Sequence, residues 1–127
     1  MDLTARACMT LAALSGFVAV AAGAFGAHGV SDPQAKAWLA TGAQYQLIHA
    51  LAVFACFVLW RQGVGAAAIA AWLFLVGAAI FAFTLYAMAF GAPRILGAVT
   101  PLGGLLLLAG WLTLAWSTFA GTRSTIV

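Results

Sequence analysis

The chain has 127 residues, of which 66% are hydrophobic and only 6% are charged, and its mean hydropathy is +1.13. Soluble domains carry roughly 25% charged residues, so this chain has too little polar surface to cover itself in water. Its five basic residues are scattered singly, which excludes the basic stripe that a nucleic-acid partner would require. The composition predicts an integral membrane protein surrounded by membrane lipids.

Four apolar segments are long enough to cross a hydrocarbon core about 30 Å thick, for which a helix needs about 20 mainly apolar residues. Backbone polar groups in lipid must be satisfied within their own segment, so spans of this length are helices. The predicted fold is all-α, a single domain over residues 1–127 with four transmembrane helices in a compact bundle. The spans cover residues 7–27, 45–60, 66–90 and 102–119.

The distribution of basic residues predicts an orientation in the cytoplasmic (inner) membrane. With four spans, both chain ends lie on one side, together with Arg6, Arg61 and Arg123. Lys36 and Arg94 fall on the other side. Cytoplasmic loops carry the excess of Lys and Arg, so both termini are expected in the cytoplasm.

The segment "SDPQAKAWLATG" between the first two spans has the pattern of a helix start. Ser31 is a suitable N-cap, Pro33 suits the first turn, and Trp38 is a typical interface anchor. We therefore predict a short amphipathic interfacial helix over residues 32–43. The pattern leaves open whether this helix breaks at Gly42 or continues into the second span.

Polar residues collect toward the side opposite the termini when the chain is followed through its alternating spans. Such residues inside a membrane are functional candidates, and here they predict one polar cluster at one mouth of the bundle. A histidine in this setting can also bond a carbonyl or a tyrosine hydroxyl and lock the helices together, so a structural role and a ligand or partner site both stay open. The candidates are His28, Tyr45, Gln46, His49, Tyr86, Arg94 and Thr100.

Glycines at heptad or four-residue spacing predict close helix packing, because a missing side chain lets two backbones approach. In the first span these are Gly16 and Gly23, and near or in the fourth span they are Gly103, Gly104 and Gly110. The same small-residue pattern is compatible with self-association.

The polar residues predict no bound cofactor and no metal site. Two histidines on different spans could ligate a haem, but His28 lies in a glycine-flanked helix end. A metal would lack a third strong ligand beside His28 and His49, and no serine, base and carboxylate occur together. These observations predict a protein that is not an enzyme.

Three stretches carry a family resemblance: "GAFGAHG", "TGAQYQLIHALAVF" and "TPLGGLLLLAGWLTLAW". In this order and at these distances they resemble domain-of-unknown-function family 423, the YgdD-like small inner-membrane proteins of bacteria. The resemblance implies about four membrane helices and a membrane location, but no activity. It also implies that the family's shared polar residues correspond here to His28, Tyr45, Gln46 and His49, with Thr100, Pro101, Gly103 and Gly104 before the fourth span.

Three functions fit the sequence. The first is a non-enzymatic accessory, assembly or lipid-organising protein whose polar mouth docks a lipid headgroup or a larger membrane complex. The second is an oligomeric path for a small solute, ion or proton, with Tyr45 and His49 at its entrance. The third is a redox or cofactor-binding membrane subunit.

Overall fold

A computed structural model describes residues 1–124 of the chain. It contains four long helices, α1 (Leu3–His28), α2 (Pro33–Arg61), α3 (Ala67–Ala89) and α4 (Thr100–Ser124), and a short 3₁₀ helix (Arg94–Ala98) between α3 and α4. All four long helices are apolar and long enough to cross a membrane. The prediction of an all-α membrane protein with four spans is confirmed.

The starts of α1 and α2 have a local physical cause. Asp2 caps α1 by accepting a hydrogen bond from the Ala5 amide at 2.7 Å, and Asp32 caps α2 by accepting from the Ala35 amide at 2.8 Å. The N-cap of α2 is therefore Asp32 and not Ser31 as predicted, and Pro33 follows it in the first turn. A carboxylate is the stronger partner for the amides at this positive end of the helix dipole.

The segment over residues 32–43, predicted as an amphipathic interfacial helix, is the first part of α2. The helix passes through Gly42 without a break and runs for 29 residues, about 43 Å. Gly42 is buried against Tyr86 of α3, where an added Cβ would lie 2.6 Å from Tyr86 Cε1. Because the neighbouring helix packs directly on the glycine, continuing the helix retains a contact that a break would lose.

The helices follow one another in space as they do in the chain. α1 packs on α2, α2 on α3 and α3 on α4, and α1 also touches α3. Among the described residues, α4 has no Cα atom within 8 Å of α1 or α2. The arrangement is thus more open than a closed four-helix bundle, with α4 at one edge.

Two membrane sides follow from this path. The "termini side" is where α1 begins, α4 ends and residues 62–66 link α2 to α3. The "Arg94 side" carries the 29–32 link and the 90–99 link, which contains the 3₁₀ helix. Gly63 and Gly91, with φ of 96° and 103°, follow α2 and α3 and allow the chain to reverse there.

The α3–α4 interface is closest at glycines. A Cβ added at Gly103 would lie 2.5 Å from Phe81 N and 2.6 Å from Gly77 O, and one added at Gly110 would lie 2.6 Å from Phe74 Cε1. The packing roles predicted for Gly103 and Gly110 agree with this geometry, and Gly77 is a further member that the sequence pattern missed.

The other predicted packing glycines differ from these two. A Cβ at Gly23 would make an ordinary contact of 3.4 Å with Ala43, and one at Gly16 would reach its nearest neighbours only at 4.0 Å. A Cβ at Gly104 would meet nothing within 4 Å. The prediction for Gly104 was wrong because adjacent residues on a helix point about 100° apart, and Gly103 is the one that faces α3.

Candidate functional site

His49 is buried in the middle of α2 and both of its ring nitrogens are used inside the protein. Nε2 accepts a hydrogen bond from Trp111 Nε1 of α4 at 3.0 Å. Nδ1 therefore carries the ring proton and donates it to the Tyr45 carbonyl one turn earlier, at 2.6 Å. Phe74 packs beside the pair, with its ring centre 5.4 Å from that of His49 and 4.8 Å from that of Trp111. The network fixes a neutral histidine whose bonds join α2 to α4.

Gln46 and Tyr86 form a second interhelical pair. The Tyr86 hydroxyl donates to Gln46 Oε1 at 2.7 Å and joins α3 to α2, and only 1% of the Gln46 surface is exposed. The Tyr86 ring also packs directly against Gly42, which has no side chain to hold it away. The tyrosine is therefore positioned by packing as well as by its hydroxyl group.

Thr100 joins α3 to α4 near the Arg94 side. Its Oγ1 lies 2.6 Å from Thr84 Oγ1, close enough for one hydroxyl to bond the other. Thr84 also donates to the carbonyl of Ile80 at 2.8 Å. With this pair and the two above, each of the three helices α2, α3 and α4 has a direct polar bond to the other two.

The pairs formed by His49 and by Gln46 lie deeper in the membrane than the sequence suggested. His49 is eleven residues from Trp38 and eleven from Trp60, so it lies about 16 Å along α2 from each. Tryptophans typically mark the two interfaces, which puts His49 near the middle of the membrane. Gln46 lies about 12 Å from Trp38 on the same measure.

The single polar cluster predicted at one mouth is therefore divided in two. His28 is the last residue of α1 and is exposed on the Arg94 side, level with Trp38 and about 16 Å along the helix axis from His49. The sequence placed both histidines at one mouth because it started the second span at Tyr45. In the structure α2 begins at Pro33, twelve residues before Tyr45, so the same residues lie about three turns further from the start of the helix.

A cationic and aromatic patch forms the Arg94 side, and we call Arg94, Trp38, Lys36 and His28 the "Arg94 patch". The Arg94 guanidinium lies over the Trp38 ring, 5.6 Å from its centre. Lys36 Nζ donates to the Ala27 carbonyl at the end of α1, at 3.2 Å. Arg94 and His28 thus belong to a surface group, whereas Gln46, His49, Tyr86 and Thr100 belong to the interior.

Sequence reasoning missed Trp111, the partner of His49. Its indole N–H has to find an acceptor within the membrane, and His49 is the acceptor that the fold supplies. A tryptophan near the middle of an apolar span, away from both interfaces, was the available signal. Tyr45 contributes its backbone carbonyl, while its side chain is exposed and lies against Phe81 with ring centres 4.6 Å apart.

The residues described here hold no group of three or more His, Cys, Asp or Glu side chains placed to bind a metal ion. Within the spans, every buried side-chain nitrogen or oxygen that is fully shielded has a hydrogen-bond partner in the described chain. The fold and the site together define a small polytopic membrane protein whose helices are joined by polar pairs in the membrane interior.

Comparison with known proteins places the chain more closely. It belongs to the family described as protein of unknown function (DUF423), which matches residues 22–104. A UPF0382 membrane protein of Haemophilus influenzae is 41% identical to it, over 87% of this chain and 92% of the relative. The UPF0382 inner membrane protein YgdD of Escherichia coli is 37% identical over 86% of each chain, and YwdK of Bacillus subtilis is 38% identical over 80% of this chain and 87% of its own.

No solved structure matches the chain. The four spans and the named relatives make this a multi-pass protein of the cytoplasmic (inner) membrane, and its biochemical role is unassigned across these relatives. The resemblance inferred from the three sequence motifs is confirmed. The orientation with both termini in the cytoplasm stays a prediction.

Proposed function

We propose that the protein is a non-enzymatic accessory protein of the membrane that binds anionic lipid headgroups at the Arg94 patch and organises lipid around itself or a larger complex. The observation that carries this proposal is the gathering of Arg94, Lys36 and Trp38 at one interface. An aromatic ring at the headgroup level with a guanidinium over it, and a lysine on the same membrane side, is chemically suited to a lipid phosphate.

The interior supports this role over a transport path. A proton relay through His49 would need a ring nitrogen free to accept a proton, but Nε2 already accepts from Trp111 and Nδ1 donates to a carbonyl. Protonating Nε2 would set one N–H against another and break the bond to α4. The interior polar groups are thus employed in holding helices together.

Lipid retention tests the proposal. The full-length protein would be released from nanodiscs containing equal amounts of phosphatidylglycerol and phosphatidylcholine, and native mass spectrometry would identify the lipids that remain bound. We expect preferential retention of phosphatidylglycerol and its loss in the double variant Arg94→Gln, Lys36→Gln. Arg61→Gln on the termini side is the matched control and should retain the lipid. Equal retention of both lipids by the unaltered protein would contradict the proposal.

A flux assay separates this role from the transport alternative. Proteoliposomes loaded with a pH-sensitive dye should acidify no faster than empty liposomes when a proton gradient is applied. Proton flux that is present with the unaltered protein and absent with His49→Ala would favour the path instead.

A further inference from the structure

A lateral groove opens toward lipid between α1 and α3, with α2 as its floor. Its volume is about 380 Å³, and its walls come from apolar residues of α1 and α3. Leu14 and Phe83 form part of the rim and are about half exposed, as expected for side chains in contact with acyl chains. The groove is continuous with the hydrocarbon region of the membrane.

Gln46 lies on the floor of this groove, and one of the two polar atoms of its side-chain amide is already hydrogen-bonded. Its Oε1 accepts from Tyr86, which leaves the amide N–H pair as the group that Gln46 can still offer. Among residues 1–124 that amide nitrogen makes no hydrogen bond, and because every fully shielded side-chain nitrogen there has a partner, it is the part of the 99% buried Gln46 that reaches the groove. A donor without a partner in an apolar groove is costly, so an acceptor is needed there.

Ser15 supplies a second unused polar group in the same groove. Hydroxyl residues inside membrane helices usually donate to the carbonyl four residues earlier, as Thr10, Thr113 and Ser117 do here. Ser15 makes no hydrogen bond with any part of the chain that the structure describes. Gly16 lies opposite Ala50, so Ser15 is about 7 Å along the helix axes from the level of Gln46.

The depth of these donors limits the chemistry of an occupant. Gln46 is about 12 Å inside the interface marked by Trp38, well below the level at which headgroups and their ester carbonyls lie. The acceptor therefore belongs to a molecule that carries its polar atoms into the hydrocarbon region. Two donors offset by about 7 Å along the helix axes can reach carbonyl oxygens on opposite edges of one ring, because the two hydrogen bonds add to the span of the ring and its carbonyl groups.

We propose that the groove between α1 and α3 binds a lipid-soluble quinone, with one carbonyl oxygen accepting from the Gln46 amide and the other from the Ser15 hydroxyl. The quinone ring lies between apolar walls, and its tail extends into the bilayer. Binding involves no electron transfer in this proposal. The proposal goes beyond the accessory role, because the Arg94 patch and the groove are separate surfaces.

Tryptophan fluorescence offers a direct test because Trp72 lines the groove. The full-length protein in quinone-free nanodiscs would be titrated with decylubiquinone. We expect saturable quenching above the linear quenching caused by quinone dissolved in lipid, and its loss in Trp72→Phe. Decylbenzene, which has the tail and ring but no carbonyl, should fail to compete.

Two variants measure the hydrogen bonds. Ser15→Ala should weaken binding about fivefold, the equivalent of one ordinary hydrogen bond. Gln46→Leu should weaken it further, and a thermal melt establishes whether that variant stays folded. Ser117→Ala is the matched control, since that hydroxyl donates to the Thr113 carbonyl within α4 and lies outside the groove.

Three results would overturn the proposal: linear quenching alone, equal competition by decylbenzene, or unchanged affinity in folded Ser15→Ala and Gln46→Leu variants. The lipid-retention experiment tests the Arg94 patch, which is a different surface from the groove. Failure of quinone binding with intact phosphatidylglycerol retention would leave the accessory role standing.

Discussion

Replacing Gly103 by alanine tests the packing of α4 on α3 with a single methyl group. The new Cβ would lie 2.5 Å from Phe81 N and 2.6 Å from Gly77 O, both backbone atoms that cannot turn aside. Ordinary contacts begin at 3.4 Å, so the helices have to separate by about 0.9 Å (3.4 minus 2.5) at this point. Overpacking of this kind costs about 1–3 kcal/mol.

The same separation of the helices would also weaken a hydrogen bond between them. The Thr84 and Thr100 hydroxyls bridge the same two helices at 2.6 Å, and a shift of 0.9 Å would take them to about 3.5 Å, the limit of a hydrogen bond. Interhelical bonds in membrane proteins contribute about 0.6 kcal/mol on average. We therefore expect Gly103→Ala to lower the free energy of unfolding by about 2–4 kcal/mol.

Gly104→Ala is the matched control, because the neighbouring glycine has nothing within 4 Å of its added Cβ. The same chemical change should there be neutral or stabilise the helix by up to about 1 kcal/mol. Unfolding in mixed micelles at increasing mole fractions of dodecyl sulfate, followed by circular dichroism, would measure both variants. Equal stabilities for the two would refute the packing described for Gly103.

Three further changes address the polar pairs and the surface. Trp111→Phe keeps an aromatic ring but removes the donor to His49 Nε2, so it should lower the free energy of unfolding by about 1–2 kcal/mol in the same micelle assay, and an unchanged value would mean that the bond contributes nothing. Tyr86→Phe should cost about 1 kcal/mol by freeing Gln46 Oε1, and the Gln46→Leu, Tyr86→Phe double variant should cost less than the sum of the two single changes if the residues act as a pair. Arg94→Gln alone should reduce phosphatidylglycerol retention in native mass spectrometry while leaving unfolding within about 0.5 kcal/mol of the unaltered protein, and a larger loss of stability would identify Arg94 as a structural residue.

The four spans could be predicted from sequence because lipid imposes a simple rule on length and composition. The α3 span was placed within one residue of the observed Ala67–Ala89. The sequence predicted a helix from residue 32 and left its continuation open, but it began the membrane span at Tyr45 because Thr41, Gln44 and Gln46 interrupt the apolar run. Those residues belong to a helix that extends beyond the hydrocarbon core. Hydropathy therefore located the start of the apolar run, whereas the helix itself begins earlier.

The hydrogen-bond partners of the polar residues could not be predicted from the sequence. A stripe of Tyr45, Gln46 and His49 predicts that something polar faces it, but helical periodicity does not state which helix lies opposite or at what height. Trp111 meets His49 across 62 positions in the chain, and Tyr86 meets Gln46 across 40. Those meetings depend on the order and tilt of the helices, which in turn depend on how closely Gly42 and Gly103 let their neighbours approach.

Polar residues in the membrane interior fall into two groups, according to whether their hydrogen-bonding atoms have partners on another helix. Apolar side chains alone hold membrane helices together poorly, because lipid is as apolar as they are, so packing and interhelical bonds fix which helices meet and in what register. A slip of α4 by one turn past α2 would leave His49 Nε2 and the Trp111 indole unbonded at mid-membrane, which makes that pair a register lock. The Ser15 hydroxyl and the Gln46 amide have no such use among the described residues, yet they lie in a groove where lipid offers no hydrogen bond. Helix packing explains the interhelical pairs, but it does not explain the Ser15 hydroxyl and the Gln46 amide. A ligand of this protein should therefore be sought in the groove before the histidines.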